Sequence, residues 1–284
     1  MSKKLPTLLP KIIILHGWSF EPDLKNRWQA VIKGLEAQGL LVEYLDLPGF
    51  EISLSEANVH LKQLGDKNNQ NKRSFQKSSN LSKTGGDGWS LDEYAQYVLS
   101  CLSKESNVVI LGHSFGGQLA VRVAVTHPSW LKGLILIGPA GIVDRSWPKI
   151  FKRSLFSGLS IFGKKLLLGA GVSSSHSFYQ SMRQLFLQLA GATDYRLSST
   201  LMKKTMNKVL STEILNDLDD IDLPSLIFWG TRDRFTPVKH ASLFASRLSH
   251  SHLVILEGDG HRPYFTQPDM LLSHISHFLL HYVV

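Results

Sequence analysis

The chain has 284 residues, of which 43% are hydrophobic and 19% charged, and its formal net charge is +8. This composition excludes a disordered chain, a collagen-like fibre and a multi-span membrane protein, and no apolar run is long enough for a membrane-spanning helix. The only cysteine is Cys101, so no intrachain disulfide can form. Prolines and a lysine interrupt the apolar part of the N-terminus, so we expect no secretion signal and a cytoplasmic location.

Short apolar runs of strand length alternate along the chain with segments of helical spacing. Most of the runs are continuous rather than alternating, as in strands that are covered on both faces. The runs cover residues 12–15, 40–45, 108–111, 133–137, 225–229 and 253–256. Apolar residues with helical spacing cover 28–35, 94–102, 119–126 and 271–279. The alternation predicts an α/β fold with a doubly wound, mainly parallel sheet of about six strands.

Two segments interrupt this alternation. Residues 63–88 are polar and rich in Asn, Lys, Ser and Gly, which predicts a flexible surface insertion; a role as a lid stays open. Residues 142–211 lack strand signals and predict several helices. Within them, 144–211 hold eleven basic and two acidic residues, a net charge of +9 that leaves −1 for the rest of the chain. We therefore predict a core of 1–141 and 212–284 with an inserted helical domain of 142–211.

The basic insertion allows more than one interpretation. Its lysines and arginines interleave with apolar residues but form no recognisable nucleic-acid module, so we expect no nucleic-acid partner. Amphipathic helices of this kind can pack an apolar face on the core and leave a basic face in solvent. They can also associate weakly with an anionic membrane surface. We favour packing on the core and leave weak membrane association open as a second hypothesis; the oligomeric state is not predicted.

The sequence Gly112-His-Ser-Phe-Gly-Gly117 follows the third predicted strand and precedes a predicted helix. A nucleophilic side chain at a tight strand-to-helix turn needs neighbours without bulk, and Gly112 and Gly116 lie two residues before and after Ser114. The start of the helix also presents free backbone N–H groups to a developing negative charge. This pattern indicates a serine nucleophile.

A serine hydroxyl needs a base, and the base needs an orienting carboxylate. Parallel sheets gather ligands at the carboxyl ends of their strands. Asp233 follows the strand at 225–229 and His261 follows the strand at 253–256, each in a loop that contains glycine. The chain order Ser114, Asp233, His261 is the order known for this type of strand-to-helix serine.

The chain resembles the α/β-hydrolase superfamily over nearly its whole length. The resemblance implies a catalytic triad of Ser114 as nucleophile, His261 as general base and acid, and Asp233 as orienting acid. It also implies an oxyanion hole of the backbone N–H groups of Trp18 and Phe115, and a helical cap at 142–211. Only about ten residues precede the first strand, so we expect no antiparallel hairpin before it. The matching stretches are Leu15-His-Gly-Trp18, Asp46-Leu-Pro-Gly49, Gly112-His-Ser-Phe-Gly-Gly117, Gly230-Thr-Arg-Asp233 with Pro237, and Gly258-Asp-Gly-His261 with Gln267-Pro268.

Other polar residues compete for these roles. Asp259 lies two residues from His261, too close along the chain to reach the far ring nitrogen, so Asp233 is preferred. His16 and His113 flank the serine and its oxyanion loop, where packing and hydrogen bonding are the expected roles. Three histidines recur on the last helix with helical spacing, and without a carboxylate or thiolate beside them we predict no metal site. They are His274, His277 and His281.

The expected function is therefore that of a cofactor-independent serine hydrolase that cleaves a carboxylic ester or related small acyl substrate through an acyl-enzyme on Ser114. Two alternatives stay open. One is hydrolysis of a carbon–carbon bond by the same residues. The other is a ligand-binding protein of the same fold that has lost turnover, which the presence of all three triad residue types disfavours.

Overall fold

The computed structural model describes residues 9–19, 24–50, 87–142 and 199–283. The polar insertion predicted at 63–88 lies outside the described residues except for 87–88. The greater part of the predicted cap, 143–198, also lies outside them.

One parallel sheet organises the described residues. Its six strands follow the order β2-β1-β3-β4-β5-β6, and every neighbouring pair is parallel, which confirms the predicted fold class. The order reverses between β1 and β3, and open α/β sheets bind their ligands beyond the carboxyl ends of the strands at such a point. The strands are β1 (Lys11–Leu15), β2 (Val42–Leu45), β3 (Val108–His113), β4 (Leu131–Ile137), β5 (Ser225–Gly230) and β6 (Ser251–Leu256).

The helices lie on both faces of this sheet. The helix Leu91–Cys101 begins at a capping box in which the side chains and backbone N–H groups of Ser90 and Glu93 bond reciprocally. The described α-helices are α1 (Leu24–Arg27), α2 (Gln29–Glu36), α3 (Leu91–Cys101), α4 (Phe115–Ala124), α5 (Thr200–Ser211), α6 (Lys239–Arg247), α7 (Pro263–Thr266) and α8 (Pro268–Phe278). A 3₁₀ turn covers Asn216–Asp220 and a π turn covers Leu279–Val283. None of the described helices has the length and apolar character that a membrane crossing requires.

Alternate residues of the central strands supply two separate cores. In β1, Ile13 and Leu15 belong to the core shared with α3, α4 and α6. Ile12 and Ile14 belong to the core on the opposite face, shared with α2 and α8. Since both faces are covered, the central strands are apolar at nearly every position, which is the pattern that predicted them.

The edge strands depart from the prediction. The run at 40–45 forms a strand only from Val42, because the N–H of Leu40 bonds back to the carbonyl of Leu35 at 3.3 Å in the turn after α2. At the other edge, Leu253 and Ile255 of β6 are 36% and 39% exposed. An edge strand has a neighbour on one side only, so it is less completely covered than the four inner strands.

The chain divides into two compact units, one of Met1–Ile142 with Ser199–Val284 and one of Val143–Ser198. Helix α5 falls within the predicted cap of 142–211 but is part of the first unit. Its residues Met202, Thr205 and Val209 are buried there, and the side chain of Gln118 donates to the carbonyls of Val209 and Thr212 at 3.2 and 2.9 Å. The second segment of the first unit therefore begins at Ser199, before the predicted boundary at 212.

Candidate active site

Ser114 occupies a strained turn between β3 and α4. Its φ of 53° and ψ of −114° lie in a region that residues with a side chain rarely adopt, at a cost of about 1–3 kcal/mol. The backbone N–H of Ser114 bonds to the carbonyl of Ile137 at 3.0 Å, and its own carbonyl accepts from Gln118 and Ala140. These bonds hold the turn in place beyond the carboxyl end of β3.

The glycines around Ser114 are required by close backbone contacts. A Cβ on Gly116 would lie 2.0 Å from the carbonyl oxygen of Leu15, and one on Gly112 would lie 2.5 Å from the carbonyl oxygen of Gly116. The start of α4 is therefore pressed against the end of β1. The Gly-x-Ser-x-Gly spacing is a packing requirement of this turn.

The loop after β1 lies directly beside the serine. A Cβ on Gly17 would lie 3.2 Å from the Cβ of Ser114. The next residue, Trp18, packs edge-on against Phe115 with ring centroids 5.5 Å apart. Phe115 is the first residue of α4, where backbone N–H groups have no partner within the helix. The two residues predicted to supply the oxyanion hole thus contact each other, and each is next in sequence to a residue that lies at the turn, Gly17 or Ser114.

Asp233 and His261 are joined across the ends of β5 and β6. The Nδ1 atom of His261 lies 2.6 Å from Oδ2 of Asp233, and their side chains are 11% and 1% exposed. Since a carboxylate accepts and does not donate, Nδ1 carries the proton and Nε2 is left as the basic atom of the ring. Gly138, one residue beyond the carbonyl that holds Ser114, lies against the pair: its Cβ would be 3.0 Å from Oδ2 of Asp233 and 3.5 Å from Nδ1 of His261.

The Asp233 carboxylate is held ionised by further donors. Its Oδ1 accepts the backbone N–H groups of Phe235 and Thr236 at 2.8 and 2.9 Å. Burial by itself would raise the pKa of Asp233, but the hydrogen bond and charge of His261 and the bonds from Thr236 outweigh it, so the pKa lies below its ordinary value. The carboxylate therefore stays negative down to below the ordinary range of aspartate titration.

The competing carboxylate is engaged elsewhere. Asp259 accepts from the hydroxyl of Thr266 at 2.8 Å and from the N–H of Gly260 at 2.7 Å. These bonds tie Asp259 to the residue that follows it and to the end of the short helix Pro263–Thr266. Asp259 is thus a loop-stabilising residue, and Asp233 is the carboxylate that reaches the ring.

The two buried histidines beside the serine are neutral. Burial, followed by the charge of His261, places the pKa of His113 well below its ordinary value. Burial also lowers the pKa of His16, whose Nδ1 contacts the carbonyl of Gly17 at 2.8 Å and whose ring stacks on Tyr44 at 5.5 Å. Both therefore pack and donate hydrogen bonds, which is the role the sequence suggested for them.

The described part of the chain contains no group of three or more His, Cys, Asp or Glu side chains that could hold a metal ion. His274 and His277 lie on α8, and His281 lies in the π turn that follows it. His277 stacks on His281 with ring centroids 4.1 Å apart, while His274 lies against Phe228.

The fold and this arrangement of residues agree with a known family. The chain belongs to the family of the alpha/beta hydrolase fold, whose profile matches residues 10–268. The resemblance inferred from the sequence motifs is therefore confirmed.

Among its curated relatives is the pimeloyl-[acyl-carrier protein] methyl ester esterase of Aeromonas hydrophila, 24% identical over 279 residues that cover 95% of each chain. The enzyme of the same name from Yersinia enterocolitica is 24% identical and covers 91% of this chain and 88% of its own. The expectation of a carboxylic ester hydrolase agrees with these names. Among solved structures, a bromoperoxidase from Bacillus anthracis aligns with a TM-score of 0.60 at 17% identity, over 95% of this chain and 92% of that one, which supports the fold alone.

One residue of the site was missed by sequence reasoning. Thr236 is buried and its hydroxyl lies 2.8 Å from Oδ2 of Asp233. Asp233 bonds to the backbone N–H groups two and three residues further on, a turn that aspartate commonly forms. The spacing Asp-x-x-Thr is typical of this aspartate turn, so it could have identified Thr236 as a partner of Asp233.

Proposed function

We propose that the protein is a serine hydrolase of carboxylic esters in which Ser114, His261 and Asp233 form the catalytic triad. The observation that carries this proposal is the 2.6 Å contact between Nδ1 of His261 and Oδ2 of Asp233. Gly138 lies against this pair, and the carbonyl of the preceding residue, Ile137, holds the strained turn of Ser114. A buried, ionised carboxylate on one ring nitrogen leaves the other ring nitrogen as a proton acceptor, which is what activation of a serine requires.

The proposed reaction has two halves. Oγ of Ser114 attacks the ester carbonyl carbon while Nε2 of His261 takes the hydroxyl proton, and Asp233 stabilises the resulting imidazolium. The backbone N–H groups of Phe115 and Trp18 stabilise the oxyanion, each contributing about 3–4 kcal/mol. His261 then returns the proton to the leaving alcohol, and the acyl group stays on Ser114. Water, activated in the same way by His261, releases the carboxylic acid and restores the serine.

The proposed substrate class rests on the names of the curated relatives and on the exposed side chain of Phe235. The curated relatives are named as methyl ester esterases, so we propose that this chain hydrolyses esters with a small alcohol leaving group. Phe235 is 66% exposed and its ring centroid lies 5.0 Å from that of His261. It offers apolar surface to the acyl part of a substrate beside the base.

A panel of substrates tests this proposal. Purified protein is assayed with methyl esters of mono- and dicarboxylic acids of increasing chain length and with a vinylogous diketone. We expect hydrolysis of esters and no cleavage of the diketone. Preferential cleavage of the diketone would instead support the carbon–carbon hydrolase, and no turnover of any member together with no labelling by a fluorophosphonate would support a non-catalytic protein.

The role of the basic residues between 143 and 198 is a proposal that rests on their sequence. We propose that they form the substrate-selecting cap predicted from the sequence, and weak association with anionic membrane surfaces is the second hypothesis. Co-sedimentation with vesicles of anionic and of neutral lipid tests the second hypothesis. Binding that requires anionic lipid and weakens with salt supports association, and equal recovery in the supernatant excludes it.

A further inference from the structure

Two side chains donate hydrogen bonds to the same oxygen of Asp233, Oδ2. One is the ring of His261, through Nδ1, and the other is the hydroxyl of Thr236. Oγ1 of Thr236 lies 2.8 Å from Oδ2 of Asp233 and 3.4 Å from Nδ1 of His261. Its backbone N–H donates to the other oxygen, Oδ1, at 2.9 Å. One residue therefore binds both oxygens of the carboxylate.

The hydroxyl has one proton and two acceptors within reach. The carbonyl of Gly138 lies 3.1 Å from Oγ1 and the carboxylate lies 2.8 Å from it. Hydrogen bonds to charged acceptors are shorter and stronger than those to neutral ones, so the proton goes to Asp233 while the carboxylate is ionised.

The surroundings fix this hydroxyl in place. Thr236 is buried, and the indole N–H of Trp229 donates to its backbone carbonyl at 2.7 Å. On the adjacent side, a Cβ on Gly138 would lie 3.1 Å from Oγ1, so the backbone of that glycine closes the space. The branched side chain also has few rotamers, so the hydroxyl direction costs little entropy.

We infer that Thr236 is a positioning residue of the triad, which acts through Asp233 and does not touch the substrate. This inference rests on the proposed serine hydrolase function. The hydrogen bonds that Phe235 and Thr236 donate make the Asp233 carboxylate a weaker base than a carboxylate without them. The proton therefore stays on Nδ1 of His261, and Nε2 stays free to accept the proton of Ser114. The same bonds keep Oδ2 in line with the ring.

Three substitutions and one control test the inference. Thr236→Val keeps the shape and removes the hydroxyl, Thr236→Ser keeps the hydroxyl, and Thr236→Ala is a second variant without it. Thr266→Val is the matched control, because it removes the same kind of bond from threonine to aspartate, at Asp259 in the neighbouring loop. Ester hydrolysis gives kcat and KM, and proton NMR reports the low-field resonance of the hydrogen bond between Asp233 and His261.

We expect Thr236→Val to lower kcat by about 10- to 100-fold with KM changed by less than about threefold, as for loss of one bond to a charged group. Thr236→Ser should recover most of kcat, and Thr266→Val should leave it within about threefold. The low-field resonance should move in Thr236→Val and stay in Thr266→Val. If Thr236→Val does not fold, Thr236→Ala is compared with Thr236→Ser in the same way.

Unchanged kcat and resonance in Thr236→Val, failure of Thr236→Ser to recover activity, or an equal loss in Thr266→Val would each overturn the inference. Wild-type protein that hydrolyses the ester in the same experiment shows that only the role of Thr236 has failed. Wild-type protein that neither turns over the ester nor takes a fluorophosphonate label would overturn the proposed function and this inference together.

Discussion

The side chain of His113 donates a hydrogen bond from Nε2 to the backbone carbonyl of His261 at 2.7 Å. A carbonyl oxygen has no proton, so this bond requires the proton on Nε2 and fixes the tautomer of His113. The other nitrogen, Nδ1, faces Gly17, whose Cβ would lie 2.5 Å away. The residue before the proposed nucleophile thus contacts both the loop of the base and the loop after β1.

This buried, neutral histidine makes stability depend on pH. The unfolded chain binds a proton at His113 near pH 6.5, whereas the folded protein, whose His113 pKa is lowered, does so only at lower pH. The free energy of unfolding therefore falls as the pH drops below about 6.5, by up to about 1.4 kcal/mol per pH unit for each such group. His16 acts in the same direction. The pKa of Asp233 is also lowered, so its ionised form stabilises the folded protein. This contribution is lost only when the pH falls below the ordinary range of carboxylate titration.

Urea unfolding at pH 7.0 and 5.5 measures this effect in wild-type protein and in His113→Phe, which keeps an aromatic ring and cannot be protonated. We expect the loss of stability between the two pH values to be smaller in His113→Phe. An equal or larger loss in the variant would contradict the assignment of a neutral His113.

Exchanging a carboxylate for an amide distinguishes the two aspartates near His261. Asp233→Asn removes the charge and can impose the wrong tautomer on His261, so kcat should fall by about 10⁴-fold. Asp259→Asn is the matched control, because Asp259 bonds to Thr266 and Gly260. It should lower thermal stability while kcat falls by less than about tenfold. A larger loss of kcat in Asp259→Asn would reverse the assignment of the orienting acid.

The parallel sheet was predictable because burial on both faces leaves a strong signal. The inner strands are apolar at almost every position, as in Val108–His113 and Ser225–Gly230. The edges were less predictable, since Leu40 satisfies the sequence pattern of a strand but completes the turn after α2. The sequence pattern does not show whether the N–H of such a residue bonds to the preceding helix or to a neighbouring strand.

The site was predictable where a residue type and its place after a strand coincide, as for Ser114, Asp233 and His261. The bond from Thr236 to Asp233 is local and its spacing indicates it, but the other contacts of Thr236, and the contacts of His113, depend on how separate loops meet. The partner of Thr236 is three residues away, but its competing acceptor, Gly138, lies 98 positions distant along the chain. The bond from His113 to His261 spans 148 positions. No local pattern reports such contacts.

The glycine two residues after Ser114 should tolerate no side chain. In Gly116→Ala, the new Cβ would meet backbone atoms of Leu15 and His16 at 2.0 and 2.7 Å, and neither can move without disturbing β1. We expect destabilisation of at least about 3 kcal/mol, measured by chemical denaturation. Gly260→Ala is the control, because its Cβ meets nothing within 4 Å. Similar stability of the two variants would show that the turn is looser than described.

The central claim is that Ser114 is the nucleophile, and covalent labelling tests it most directly. Wild-type protein and Ser114→Ala are treated with a fluorophosphonate and examined by intact-mass spectrometry, with circular dichroism as a check that both are folded. We predict one adduct on wild-type protein, located on Ser114, no adduct on Ser114→Ala, and a fall in ester turnover of about 10⁴- to 10⁶-fold. Folded wild-type protein without an adduct, or an adduct that persists in Ser114→Ala, would contradict the claim.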